Sequence, residues 1–345
     1  ENISDFDKIR FRQRVARDLE PLSLETKLVG LDAKMPLAIA PVGLLGMQHA
    51  DGEIHAARAA EKFGVPFTLS TMSICSIEKV AEATQSPFWF QLYVQRDREF
   101  TKKLIERAKA VECSALVVTL DLQVIGKRHA DSRNGMTAPP RLTIPNMLDI
   151  ACRPRWALNM LATKNREFGN IQGAAEGVDD MKDLAKWTAA SFDKKLNWED
   201  IKRFRDLWDG PLIIKGILEA SDAEECAKLG AEALVVSNHG GRQLDGARSA
   251  ISVLPESVEK VGEDIEIWMD SGVRSGQDII RARGLGAKAV MVGRPAVYGV
   301  GAMGEAGVQR MLEIFHEEAE HTMAFIGHRE IDSVCRNDLV ISRFD

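Results

Sequence analysis

The segment Ser237-Asn238-His239-Gly240-Gly241-Arg242 places an imidazole and a guanidinium three residues apart with two glycines between them. Imidazole accepts a proton near neutral pH, and guanidinium offers a planar fork that matches a carboxylate. The glycines let the main chain turn tightly and come close to a ligand. The chemistry within reach is proton removal from a small acid gripped by its carboxylate, with His239 as base and Arg242 as clamp. His239 by itself reads equally well as a structural histidine beside a surface arginine, so its company along the chain has to separate the two readings.

That company is a series of short polar stretches: Pro41-Val42-Gly43, Ser70-Thr71, Gln91-Leu92-Tyr93, Thr119-Leu120-Asp121, Lys215-Gly216, Asp270-Ser271-Gly272-Val273-Arg274 and Gly293-Arg294. Glycine-rich turns with free N–H groups, together with Arg274 and Arg294, suit a phosphate, and one phosphate pocket fits a mononucleotide. Lys215 is a cation able to stabilise negative charge on a reduced flavin ring, or to form a Schiff base as barrel aldolases do. Ser70, Gln91 and Thr119 are suited to hydrogen bonding the polar edge of a ring system.

These stretches follow short apolar runs at residues 36–40, 66–69, 88–91, 115–119, 212–215, 233–237, 266–270 and 289–292, eight in all. Amphipathic stretches at 51–64, 97–112, 221–230 and 275–286 lie between them, several opening on Asp or Ser as an N-cap and closing on Gly. Such alternation implies parallel strands joined by right-handed crossovers, and eight units favour a closed (β/α)8 TIM barrel over an open doubly wound sheet. Reactive side chains then fall at the carboxyl ends of the strands, where barrels place their chemistry. One interval, about 122–197, is too long for a single helix and predicts an excursion after strand four of an otherwise single barrel domain over 1–345. Its stretch 142–162 mixes apolar residues with Arg153, Arg155 and Trp156, which suits a membrane surface as well as a lid.

At 45% hydrophobic and 28% charged residues the chain has the make-up of a folded protein, and a net charge of −6 offers nothing to polyanions, so nucleic acid is not an expected partner. The five cysteines are scattered without a C-x-x-C pair, which argues against disulfides or a thiolate metal site and for a reducing compartment. No apolar run is long enough to span a bilayer, the start has none of the parts of a signal peptide, and the absence of an initial Met fits a processed or truncated start. Two apparent motifs are set aside. Gly299 to Gly304 matches G-x-G-x-x-G, but it follows the eighth apolar run with a gap and precedes a terminal helical stretch, which is not a complete βαβ unit. His316 and His321 are five apart, off a common helical face, so no metal is expected there.

The stretch 237–245, Ser-Asn-His-Gly-Gly-Arg-Gln-Leu-Asp, resembles the FMN-dependent L-2-hydroxy acid oxidases and dehydrogenases. So do Ala40-Pro-Val-Gly-Leu44, Leu69-Ser-Thr71, Trp89-Phe-Gln-Leu-Tyr93, Pro211-Leu-Ile-Ile-Lys-Gly216, Asp270-Ser-Gly-Val-Arg274 and Val292-Gly-Arg-Pro295, in family order over almost the whole chain. Within that family the bacterial membrane-associated L-lactate dehydrogenases are most similar, then mandelate dehydrogenase. The resemblance implies His239 as base, steadied by Asp121; Arg242 and Arg128 on the substrate carboxylate; and Tyr93 near its hydroxyl. It implies FMN as cofactor, with Lys215 by the ring's N1 and C2 carbonyl region. Ser70, Gln91 and Thr119 would lie on the ring, and Asp270, Arg274, Gly293 and Arg294 on ribityl and phosphate. Pro41, Val42, Gly43, Ser237 and Gly272 complete the expected cofactor cradle. Family members also carry a Tyr in a segment ahead of the present residues; Asn2 aligns just after it, as in a fragment.

The expected reaction is oxidation of L-lactate, or secondly mandelate, to the 2-keto acid. Either hydride transfer or a carbanion route is compatible with these residues. Electrons would pass to a membrane quinone or another acceptor, on a cytoplasmic homotetramer lying against the inner face of the membrane. The rivals are an oxygen-using oxidase, an FMN barrel isomerising or dehydrogenating a phosphorylated compound, a Lys215 aldolase and a non-catalytic module. Gly43 and Met72 are expected to line the pocket for the substrate side chain.

Overall fold

The structure, a computed structural model, describes residues 1–127, 129, 133, 143–171 and 191–342. All eight expected strands form: β4 (Leu37–Ile39), β5 (Thr68–Ser70), β6 (Trp89–Tyr93), β7 (Ala115–Thr119), β8 (Leu212–Ile217), β9 (Ala233–Val236), β10 (Glu266–Met269) and β11 (Ala289–Val292). They are parallel in the order β4-β11-β10-β9-β8-β7-β6-β5. A bridge from Ile39 to Phe67 joins the two ends, with the Ile39 N–H donating to Pro66 C=O at 2.8 Å, so the sheet closes into a (β/α)8 barrel.

Among the described residues the α-helices between and after these strands are α1 (Gly52–Phe63), α2 (Ile77–Ala83), α3 (Arg98–Ala110), α4 (Ile144–Ala151), α5 (Pro154–Ala162), α6 (Trp198–Leu207), α7 (Ala220–Lys228), α8 (Ala250–Val261), α9 (Gly276–Gly284), α10 (Arg294–Met303) and α11 (Glu305–Ile326). Ser275 caps α9 through a reciprocal capping box with Asp278, and Asp97 caps α3 through the Phe100 N–H. Asp51, read as the cap of α1, does not cap it. Its carboxylate instead accepts Thr163 Oγ1 at 2.7 Å and Asn165 Nδ2 at 2.6 Å, binding the excursion to the loop after β4. Ser221, read as the opening of α7, lies inside that helix, whose cap position is Glu219.

Strand alternation sorts the side chains. Ala38, Trp89, Val117, Ile213, Val235, Trp268 and Met291 point inward and form a core of their own inside the barrel, where Trp89 and Trp268 meet with ring centroids 5.2 Å apart. A hairpin that the sequence reading did not anticipate, β2 (Thr26–Leu28) with β3 (Leu31–Ala33), adds Leu28 and Ala33 to that core. Its Val29 N–H is held by Glu266, the first residue of β10, so the hairpin plugs the amino-terminal end and leaves the carboxyl-terminal end for function. Two further strands, β1 (Ile9–Phe11) and β12 (Leu339–Ile341), pair antiparallel.

Candidate active site

Adding two residues to each inward-facing apolar position leads to the barrel mouth. Val117 is followed by Thr119, Trp89 by Gln91 and then Tyr93, Ile213 by Lys215, Val235 by Ser237, Trp268 by Asp270 and Met291 by Gly293. The period of two therefore aims these polar groups at one space. The expected end of β8 was Lys215, but the strand runs on to Ile217, with a register shift between Lys215 and Ile217 and Gly216 at φ 99°. Gly216 is required there: a Cβ would stand 2.8 Å from Asp121 Cβ and Cγ.

Lys215 is 3% exposed, and its Nζ lies 2.5 Å from Asp270 Oδ2 while donating to Ser237 Oγ at 2.9 Å. Burial alone would raise the Asp270 pKa, but the Lys215 charge and hydrogen bonds from Lys215, Ser237 and Ser271 outweigh it and hold the carboxyl below its usual range. Ser271 Oγ donates to Asp270 Oδ1 at 2.7 Å and accepts the Gly240 N–H at 2.8 Å. Ser237 Oγ accepts the His239 N–H at 3.0 Å. The buried ion pair is thereby wired into the turn that carries His239.

That turn is strained: His239, Gly240 and Gly241 take φ values of 58°, 70° and 74° in succession. A left-handed histidine is uncommon and persists only where its surroundings hold it. Its Nδ1 lies 3.0 and 3.1 Å from the two carboxylate oxygens of Asp121. A carboxylate only accepts, so Nδ1 carries the proton and the neutral ring keeps its lone pair on Nε2. Gln243 Nε2 donates to the Asp121 and Val124 carbonyls at 2.7 and 2.9 Å, holding the end of β7 under the loop.

Arg242 is exposed on the same loop, and Gly126 passes so close beneath it that a Cβ would stand 2.6 Å from the Arg242 carbonyl. Tyr93 is half-buried, with its ring 5.7 Å from Phe192 in a T-shaped contact. Gly43 faces Met72, with an ideal Cβ 3.2 Å from Met72 Cβ. Pro41 and Val42 are half-buried beside it. Arg128 lies outside the described residues.

Two observations bear on a bound mononucleotide. Ser70 Oγ donates to Gln91 Oε1 at 3.1 Å, which leaves Gln91 Nε2 buried with no partner among the described residues; Thr119 Oγ1 is in the same condition. Unpaired buried donors at the mouth are what a ring with carbonyl and nitrogen edges would satisfy. Arg274 is lowered in pKa by burial and then by the neighbouring Arg294 charge. An anion would relieve the repulsion between these two guanidiniums, and Gly272 (φ 109°) and Gly293, the N-cap of α10, stand beside them in the chain. The residues fit FMN. Arg274→Ala should weaken FMN binding on the order of ten- to a hundred-fold, as loss of a charge-assisted phosphate contact does. Titration of apoprotein with FMN measures it.

Some contributors escaped the sequence reading. Residue type and spacing alone assign no role to Asn238, Ser271 and Gln243, although each lies within one of the polar stretches. Glu53, 1% exposed on α1, accepts the Gly46, Ile74 and Cys75 N–H groups at 3.0, 2.9 and 3.4 Å and so ties the loops after β4 and β5 together. No local signal marks such a residue, because its partners lie on other loops. The discarded motifs fall elsewhere: Gly299 to Gly304 lies in α10 and its end, and His316 Nδ1 pairs with Glu320 at 3.3 Å on α11.

Fold and site together define a flavin-binding barrel enzyme whose cofactor is FMN. The family model for FMN-dependent dehydrogenase matches residues 1–341, and the chain belongs to that family. It is 44% identical over 340 residues to an L-lactate dehydrogenase of Vibrio parahaemolyticus, covering 98% of this chain and 89% of that protein. The crystal structure of the monotopic membrane protein (S)-mandelate dehydrogenase superimposes with a TM-score of 0.93 at 36% identity, over 99% of this chain and 90% of that one. A mandelate oxidase variant solved with an FMN adduct gives 0.82 at 32% identity, over 99% and 91%.

Proposed function

We propose that this enzyme oxidises a small L-2-hydroxy acid, L-lactate first, to the 2-keto acid. The observation that carries the reading is the His239–Asp121 pair on a strained turn that also bears Arg242, beside the buried Lys215–Asp270 pair. The L-lactate dehydrogenase name of the Vibrio relative supports the substrate. Arg242, with Arg128, binds the carboxylate, Tyr93 bonds near the hydroxyl, and His239 Nε2 takes a proton while Asp121 stabilises the imidazolium that forms. FMN, held by Ser70, Gln91, Thr119, Lys215 and the Arg274–Arg294 turns, supplies the two-electron acceptor. Anaerobic mixing with L-lactate should bleach the bound flavin and D-lactate should not. Bleaching by an isoprenoid diphosphate with no response to any 2-hydroxy acid would sink the proposal. Mandelate is the second substrate, favoured by the missing side chain at Gly43 and the mandelate dehydrogenase likeness.

The chain is read as one FMN barrel domain with an excursion at about 122–197 that lies on a membrane, on the cytoplasmic side, in a homotetramer that passes electrons to a quinone. In α4 and α5 no residue is buried, and Ile144, Met147, Leu148, Leu158 and Leu161 are 58% to 76% exposed beside Arg153 and Arg155. Apolar side chains flanked by cations are the composition of an interfacial helix. No helix among the described residues is long and apolar enough to cross a bilayer. The monotopic mandelate dehydrogenase supports surface binding. Leu158→Glu with Leu161→Glu should abolish flotation with anionic vesicles and leave flavin bleaching by L-lactate intact.

A further inference from the structure

The loop that carries His239 and Arg242 runs from Ser237 to Ser249, the cap position of α8, and both of its stems rest on the first residues of the chain. At the leading stem Asn2 and Asn238 form a reciprocal amide pair, each Nδ2 donating to the other's Oδ1 at 2.8 Å. Asn238 Oδ1 also accepts the Gly241 N–H at 3.0 Å, and its Nδ2 also donates to the Arg248 carbonyl at 3.1 Å. Every donor and acceptor position of this carboxamide is in use, so it cannot turn without breaking several bonds. At the trailing stem the Ser249 hydroxyl donates to Asp5, whose other carboxylate oxygen lies 3.2 Å from Lys8. The main chain of Asn2 also lies on the turn after β10: a Cβ on Gly272 would stand 1.8 Å from the Asn2 carbonyl oxygen.

Such bracing has a purpose at this place. The direction of the imidazole is set by a left-handed backbone that residue 239 would not hold by itself. A small loss of alignment at a reacting group is expensive in rate.

We propose that Asn2 is a positioning residue for the reaction, acting through Asn238 to hold His239 in register, with Asp5 fixing the other stem of the same loop. It rests on the reading of His239 as the base. Contact with the Gly272 turn gives Asn2 a hold on the phosphate loop as well, so one residue aligns the base with the cofactor cradle.

The test uses the holoenzyme with Asn2→Ala, Asn238→Ala and the double variant, followed by anaerobic flavin reduction at saturating L-lactate. Asn2→Ala should reduce the limiting rate on the order of ten-fold with FMN content unchanged. Hydrogen exchange at the Gly240 and Gly241 amides should quicken. The double variant should be no slower than Asn238→Ala, because both changes remove one interaction. Should Asn2→Ala fold poorly, Asn2→Asp is isosteric and sets a second oxygen against Asn238 Oδ1, with the same loss expected. A lowered Tm with unchanged rate and exchange, or losses that add in the double variant, would overturn the proposal. If no 2-hydroxy acid reduces the wild-type flavin, the proposed reaction fails, while the exchange measurement still reports on the clamp.

Discussion

His239→Gln should purify yellow and lose reduction of its flavin by L-lactate, by roughly a hundred- to ten-thousand-fold, the usual worth of a positioned base. Glutamine is of similar size and its Nε2 can still donate to Asp121, so the polar contact at 3.0 Å need not be left unpaired. What disappears is a nitrogen lone pair able to take a proton. The Arg274 and Arg294 turns proposed to hold the phosphate are untouched, and so FMN should remain bound. Stopped-flow absorbance under anaerobic conditions reads the rate directly. Undiminished reduction would remove His239 from the role of base. Asp121→Asn provides the companion measurement: it replaces a carboxylate with a group that cannot stabilise the imidazolium, and should slow the same step without displacing the flavin.

Lys215→Met should strongly destabilise the folded state. It leaves Asp270 buried with its cation gone, and breaking a buried pair from one side costs about 3–5 kcal/mol. The pH dependence carries the sign. In the parent enzyme the Asp270 pKa is depressed, so its contribution to stability is present above the unfolded carboxyl value and is lost as pH falls through the folded one. In the variant burial acts without the cation and drives the pKa up. The stability gap between parent and variant should therefore narrow as the solution is made acidic. Urea melts at several pH values measure it, and a gap that widens towards acid would refute the assignment. Lys215→Met with Asp270→Asn should regain most of the stability, because asparagine can still accept the Ser271 hydroxyl. It should not regain fast flavin reduction, since the cation that would offset charge on the reduced ring is absent.

The barrel was legible because it is written locally. Eight apolar runs, each closed by a polar turn, survive in the structure at nearly the expected bounds. The elements that were not anticipated, β2 with β3 and β1 with β12, are only three residues each and pair in part with distant chain, so no periodicity marks them. Asp51 shows the limit of a local rule. It stands where a cap is expected, yet takes φ 57° and gives its carboxylate to Thr163 and Asn165, over a hundred residues away in sequence.

By itself the sequence determined the strand period, and with it which residues arrive at the barrel mouth: once Val117, Ile213, Val235 and Trp268 face inward, Thr119, Lys215, Ser237 and Asp270 must follow them. It also determined the residue types available for proton transfer and anion binding. Only the tertiary structure decided the pairings. Lys215 could have been a free amine for a Schiff base until Asp270 came to 2.5 Å from it, and His239 could have been a core histidine until Asp121 fixed its tautomer. Alternation along a strand is set by neighbouring bonds. The partner of a buried charge is set by which strands closure of the barrel makes adjacent, and that depends on the whole chain at once.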